Sequence, residues 1–365
     1  MSCHQSWTRF ASALLVTALV WCCPFQTFAQ TVGISVGLSE VRIAFSNDGS
    51  VLYVVGISPV ASDTQHVEAI TYDARTGTPL HHVDFAHGTT ILSMTSDGRN
   101  AIITTSSQGH TVLSVVNTDT GKAEPVPVAW YDTKSDDPDA RLSRDGRLLS
   151  VYSETGSADR PMVVTVYDWR TKAVVTKQMS AFTAAGGGFD GGITPNGQAM
   201  EFDSGRAGPK LTDLKTGRVI ASFGRDSVLS PDGRWVVELP DLSFQDAAAP
   251  RQVLIKDGKS GAVRGRIDVP VPDDVAYGQM SGAFCGDTGH FVLAGGHALG
   301  VYAIPSGTLL ENFPIDWWRD PAARDPNRAT VACSADAHRI AILSGTRLTL
   351  DTLKLTGGLQ LDRVQ

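Results

Sequence analysis

From Val41 onward the chain alternates short apolar runs with tight polar clusters. Val41-Arg42-Ile43-Ala44-Phe45 is followed by Val51-Leu52-Tyr53-Val54-Val55, and Val228-Leu229 by Trp235-Val236-Val237-Glu238-Leu239. Runs of this length, rich in β-branched and aromatic residues and bounded by Gly, Asp, Asn and Pro, read as strands joined by hairpins. No stretch after residue 30 has the i, i+3, i+4 spacing of an amphipathic helix, so the pattern predicts an all-β protein.

Two kinds of turn separate the runs. The first contains Asp-Gly or a relative of it: Asn47-Asp48-Gly49, Ser96-Asp97-Gly98-Arg99, Arg144-Asp145-Gly146-Arg147, Pro195-Asn196-Gly197, Ser230-Pro231-Asp232-Gly233-Arg234, Asp287-Thr288-Gly289 and the degenerate Ala335-Asp336-Ala337. Gly supplies the positive φ of a tight hairpin, and Asp bonds its own backbone. The second turn reads Asp73-Ala74-Arg75-Thr76-Gly77, and recurs ending at Gly121, Lys172, Gly217, Gly261, Gly307 and Gly357. It predicts a type I turn closed by a left-handed residue.

Spacing then decides the architecture. The second turns close at 77, 121, 172, 217, 261, 307 and 357, in steps of 44, 51, 45, 44, 46 and 50 residues. A period of about 40–50 residues holding four short strands is a propeller blade. The expectation is a seven-bladed β-propeller of four-stranded antiparallel blades over residues 30–365. Blade ends fall near Phe85, Val128, Met179, Phe223, Val269 and Ile315, with the seventh blade running to the C-terminus. In that blade Leu359 to Val364 forms the fourth strand. Residues 31–38 add a strand beside it, removing an exposed edge.

The Ser-Pro-Asp-Gly-Arg turn at 230–234 and the Asp-x-x-Thr-Gly turns together resemble the repeats of bacterial YVTN/TolB-like propellers, relatives of the WD-repeat architecture. The resemblance covers nearly all of the chain after residue 30. It implies the fold. For function it implies several options, because such propellers include partner-binding scaffolds, lactone hydrolases and subunits of periplasmic dehydrogenases.

The first 29 residues read as a secretory signal. Arg9 precedes an apolar run from Phe10 to Trp21, and Thr27-Phe28-Ala29 offers a cleavage site, so Gln30 begins the mature chain. The run is short for a membrane span, although a retained anchor, or a lipoprotein signal at Cys22 or Cys23, is the alternative. The expected location is periplasmic or secreted, without a transmembrane segment once the signal is gone. Two cysteines then remain, Cys285 and Cys333, each four residues before its repeat's turn position. A bridge would close a loop of about 48 residues, worth roughly 4 kcal/mol in the chain-entropy model. Inner strands of neighbouring blades splay apart, which favours two buried thiols instead.

A net charge of −7, with no Lys/Arg cluster, excludes nucleic acid as the natural partner. No Gly-x-Ser-x-Gly elbow, His-Glu-x-x-His motif or nucleotide fingerprint is present, and no cofactor or metal is predicted. The glycine run at 185–192 lacks the Lys and Ser/Thr of a phosphate loop and suits a crowded inner strand.

Candidate binding residues concentrate in the connections between blades. Trp130, Tyr131, Asp132, Asp136, Asp137 and Asp139 lie between blades two and three, Tyr277 between five and six, and Trp317, Trp318 and Arg319 between six and seven. Exposed aromatics and Arg on long loops are the residues of recognition. The four Asp residues offer oxygen ligands but lack an ordered Ca²⁺-loop spacing. His87 and His110 of blade two and His297 of blade six fall on the same end, distant around the ring, while His81 and His82 read as structural. The functional expectation is an exported, non-catalytic scaffold that holds a protein or polymer partner on its long-loop end. The alternative is a lactonase-like hydrolase with an acidic and His-bearing site at the channel mouth. A weaker third reading is a dehydrogenase subunit.

Overall fold

The computed structural model describes residues 31–35, 38–58, 66–107, 110–127, 139–143, 145–154, 161–183, 193–194, 197–201, 209–224, 226–240, 251–269, 280–286, 289–295, 298–314, 329–344 and 347–352. These residues contain no helix. They form seven antiparallel sheets.

Strand β1 (Thr31–Ser35) precedes the first blade, which is built from β2 (Ser39–Phe45), β3 (Val51–Ser58), β4 (His66–Asp73) and β5 (Pro79–His87). Blade two holds β6 (Thr89–Met94), β7 (Asn100–Ser107), β8 (His110–Asn117) and β9 (Ala123–Pro125). Blade three holds β10 (Asp139–Leu142), β11 (Leu148–Glu154), β12 (Pro161–Asp168) and β13 (Ala173–Thr183). Blade four shows three strands among the described residues, β14 (Gln198–Glu201), β15 (Lys210–Asp213) and β16 (Arg218–Ser222). Its Ile193 makes a single bridge to Ser143 of blade three. Blade five holds β17 (Asp226–Leu229), β18 (Trp235–Leu239), β19 (Arg251–Asp257) and β20 (Val263–Val269). Blade six holds β21 (Ser281–Phe284), β22 (His290–Gly295), β23 (Ala298–Ala303) and β24 (Thr308–Pro314). Blade seven holds β25 (Ala329–Cys333), β26 (Arg339–Ser344) and β27 (Arg347–Thr352).

The fourth strand of blade seven is β1. It pairs antiparallel with β27, Thr31 opposite Asp351 and Ser35 opposite Arg347. This corrects the assignment of that place to residues 359–364, which lie outside the described residues. The segment from the start of the chain fills the last sheet because β27 would otherwise present an unpaired edge.

The hydrophobic clusters show why the blades form a ring. Among the described residues there are seven, and each lies in a seam between two neighbouring blades. Leu52 and Val54 of blade one meet Ala332 and Leu343 of blade seven. Ile57 and Ala69 meet Ile91 and Ile103 of blade two. Ile102 and Leu113 meet Leu149 and Val151 of blade three. Val164 meets Leu214, Leu211 meets Val236, Ile255 meets Phe291, and Val292 meets Ile340. A strand inside a blade is therefore covered on both faces, and β3 reads as an unbroken apolar run. The outermost strand is covered on neither face over most of its length, so β5 is largely exposed. Each blade carries a large side chain that is essentially fully buried, among them Leu52, Ile102, Leu149, Leu211, Ile255, Phe291 and Ile340. Each such chain contributes about 1.5–3 kcal/mol of transfer energy.

Cys285 and Cys333 form a disulfide, with Cα atoms 4.8 Å apart. The expectation of two thiols fails because the inner strands β21 and β25 converge near the axis at this end. Gly286 of blade six abuts the backbone of Ala335 in blade seven, where a Cβ would stand only 2.7 Å from the Ala335 Cα.

Candidate functional site

The turns are structural hardware. In the first series a Ser or Thr hydroxyl donates to the Asp carboxylate two residues on: Ser46 Oγ to Asp48 Oδ1 at 2.6 Å, Thr95 to Asp97 at 2.7 Å, Ser143 to Asp145 at 2.6 Å, Ser230 to Asp232 at 2.6 Å and Ser334 to Asp336 at 2.5 Å. The hydroxyl oxygen in turn accepts from the strand that follows, as Ser46 Oγ does from the Val51 N–H at 3.0 Å. The hydroxyl hydrogen bond from Ser46, helped by those from Ser50, holds Asp48 at a pKa of about 2. The sequence carried this signal as Ser/Thr-x-Asp, two residues wider than the Asp-Gly pair taken as the motif. In the second series the closing residue donates its N–H to the carbonyl four residues back, as Gly77 does to Asp73 at 2.8 Å. The degenerate positions keep the geometry: Ala337 has φ 58° and Lys172 φ 57°.

The turns also lock the seams. Gly98 sits flat against the ring of Tyr53 in the preceding blade, where a Cβ would come within 2.3 Å of it. Tyr53 Oη donates to Asp119 at 3.3 Å, and burial together with Asp119 pushes its pKa up to about 12. Between blades seven and one, Arg339 Nη1 donates to the Gly49 carbonyl at 2.7 Å. At this end of the ring, residues of five blades line a cavity: Phe45 and Ser46, Ser96, Pro231, Phe284, and Cys333 with Ala335. Its volume of about 40 Å³ has room for a few waters.

The opposite end carries the unequal connections. Every described hairpin of the turn end has four or five residues between strands, whereas 13 residues separate β9 from β10 and 14 separate β24 from β25. Most of the predicted partner residues fall, in the sequence, between the last strand of one blade and the first of the next. Trp130, Tyr131, Asp136, Asp137, Tyr277, Trp317, Trp318 and Arg319 lie outside the described residues, as does Asp132. Asp139 opens β10, opposite Tyr152. His297 also lies outside the described residues.

The described histidines are arranged differently from the expectation. His87 belongs to blade one, not two, as the last residue of β5. His110 is an exposed residue at the start of β8, so the three-histidine grouping has no described geometry. His81 and His82 are both exposed, and His82 belongs to a cluster that the sequence reading passed over.

That cluster joins His66 and Glu68 of β4 to His82 and Asp84 of β5. Residues two apart on a strand share a face, and Glu68 stands directly opposite Asp84 across the ladder. The alternate residues Val67, Ala69 and Phe85 turn the other way, into the seam with blade two. His66 Nε2 lies 3.1 Å from Glu68 Oε1 and 3.8 Å from Asp84 Oδ1. His82 Nε2 lies 3.1 Å from Glu68 Oε2 and 3.2 Å from Asp84 Oδ1. The side chains of His66 and Glu68 are each 14% exposed, those of His82 and Asp84 more than half exposed. His87 meets the His66 ring edge-on, with centroids 5.4 Å apart. Burial pushes the Glu68 carboxyl up, but hydrogen bonds from Ser58 and His82 outweigh it and hold the group below its ordinary range. The cue in the sequence was His-x-Glu and His-x-Asp on adjacent strands of one hairpin.

No protein-family model matches this chain, and no curated protein matches its sequence. Solved structures do match. One is a chain of Kuenenia stuttgartiensis hydrazine synthase, with a TM-score of 0.53 and 17% identity, covering 88% of this chain and 98% of that one. Another is a chain of the mitotic checkpoint complex, with a TM-score of 0.55 and 12% identity, covering 95% of this chain and 99% of that one. At such identities the likeness is one of fold, and it agrees with the seven-sheet β-propeller. Among the described residues no helix is long and apolar enough to cross a membrane.

Proposed function

We propose that this propeller is an exported, non-catalytic scaffold of the YVTN/TolB-like kind, acting in the periplasm or outside the cell. It holds a protein or polymer partner on the end opposite the Asp-Gly turns. The observation that carries this reading is the asymmetry of the two ends. At the turn end the polar groups are spent on the turns themselves and on the seams, as Ser46, Asp48 and Arg339 illustrate. The sequence between β9 and β10 and between β24 and β25 is longer than any described turn-end hairpin and carries the aromatic and acidic residues suited to recognition. That one of the fold's solved likenesses is a chain of the mitotic checkpoint complex is in keeping with a propeller used for protein assembly.

The test is a pull-down from periplasmic extract with the chain from Gln30, beside Trp317→Ala/Trp318→Ala. A stoichiometric partner that the double variant loses is the expected result. A partner held equally by both proteins places recognition elsewhere and overturns the assignment of the long-loop end.

A further inference from the structure

We propose that blade one carries a binding site for a divalent transition ion of the Zn²⁺ class, with His66 Nε2, Glu68, His82 Nε2 and Asp84 as its ligands. Nothing in the scaffold reading requires this site, and its argument is independent.

The first observation is geometric. Around a tetrahedral ion with ligands about 2.0–2.1 Å away, neighbouring ligand atoms stand about 3.3 Å apart. The four separations between the imidazole nitrogens and the carboxylate oxygens are 3.1, 3.8, 3.1 and 3.2 Å. The ligand atoms of His66, Glu68 and Asp84 all fall within 4.8 Å of one another. Two paired strands set these distances, with Glu68 and Asp84 in register.

The second observation is electrostatic. Carboxylates directly opposite each other on neighbouring strands repel. Among the described ion pairs, only the imidazoles of His66 and His82 face these two. One dication between the carboxylates neutralises both and accepts the lone pairs of both rings.

The third concerns His66 itself. Its Nδ1 is buried without a hydrogen-bond partner, so all the polar engagement of the ring passes through Nε2, the atom aimed at the carboxylates. A ligating His normally has its second nitrogen held by an outer partner, and loss of such a partner costs about 10–100-fold in affinity. The site is therefore a moderate binder. Two nitrogen and two oxygen donors favour Zn²⁺ or Co²⁺ over Mg²⁺ and Ca²⁺, which take oxygen shells. Because His82 and Asp84 are more than half exposed, one side of the ion remains open to a further ligand.

The experiment uses untagged chain from Gln30, stripped with chelator and titrated with ZnSO₄ by calorimetry. Co²⁺ replaces Zn²⁺ in a parallel sample to read the coordination from its visible spectrum. The expected result is one equivalent of Zn²⁺, a tetrahedral Co²⁺ spectrum, and no heat with MgCl₂ at the same concentrations. His82→Ala, at an exposed position, and Glu68→Gln each weaken binding at least tenfold. His81→Ala, on the other face of β5, leaves it unchanged. If wild-type protein takes up no stoichiometric Zn²⁺, or if His82→Ala binds it as well as His81→Ala does, the assignment is wrong.

Discussion

Removing the bridge between Cys285 and Cys333 tests how the ring is closed at the seam of blades six and seven. The bridge spans 48 residues of sequence. In the chain-entropy model a closed loop of that length withholds about 14 cal/mol/K from the unfolded chain, or about 4 kcal/mol at 25 °C. The Cα atoms stand 4.8 Å apart, inside the range ordinary disulfides occupy, so the native state needs no rearrangement to hold the bond. From Gln30 to Gln365 the chain has 336 residues. At about 2.1 cal/mol/K per residue its unfolding entropy near the midpoint is about 0.7 kcal/mol/K, and a loss of about 4 kcal/mol lowers Tm by about 6 °C. The assay is scanning calorimetry of Cys285→Ala/Cys333→Ala and of wild type, each with and without reductant. Wild type melts higher than the variant only without reductant, and the variant ignores reductant. Two titratable thiols per chain in unfolded, unreduced wild type, with a Tm indifferent to reductant, would refute the closure argument.

Two further outcomes follow from the turns. Gly98→Ala and Gly197→Ala both force a residue with a side chain into positive φ, at 72° and 80°, costing about 1–2 kcal/mol each. Of the two, Gly98 has a neighbour in the way, the Tyr53 ring of the preceding blade, so Gly98→Ala lowers the urea midpoint further than Gly197→Ala; equal losses would mean the seam contact is idle. The acid response has a defined sign. Asp48 titrates at about 2 when folded and near its ordinary 3.8 when unfolded, and hydrogen bonds hold Asp73, Asp168, Asp257 and Asp336 below their ordinary values in the same direction. Between those limits the unfolded chain binds more protons, so this stability is complete above about pH 5 and falls as the solution is acidified toward pH 2. A melting temperature flat from pH 6 to pH 2 would contradict it.

The repeat was legible in the sequence because turn chemistry is local. A Gly at positive φ, an Asp that bonds its own turn and a run of β-branched residues each act within a few positions, and their period counted the blades. Even degenerate members such as Ala337 and Lys172 kept their place, since the flanking strands dictate the conformation there. The His66 cluster was not legible. His66 and Glu68 are separated from His82 and Asp84 by a strand and a turn. Only the register of β4 on β5 says that Glu68 meets Asp84 and that His82 lies alongside.

What the sequence determined by itself was the strand count per repeat and the number of repeats, both consequences of interactions between near neighbours. What the tertiary structure decided was everything that depends on closing the ring. It put β1 beside β27 rather than a C-terminal strand, brought Cys285 to Cys333, and set the core in seven seams between blades. Those outcomes turn on which unpaired edge, thiol or apolar face meets which other. Residues hundreds of positions apart meet only once every blade has been laid against its neighbour.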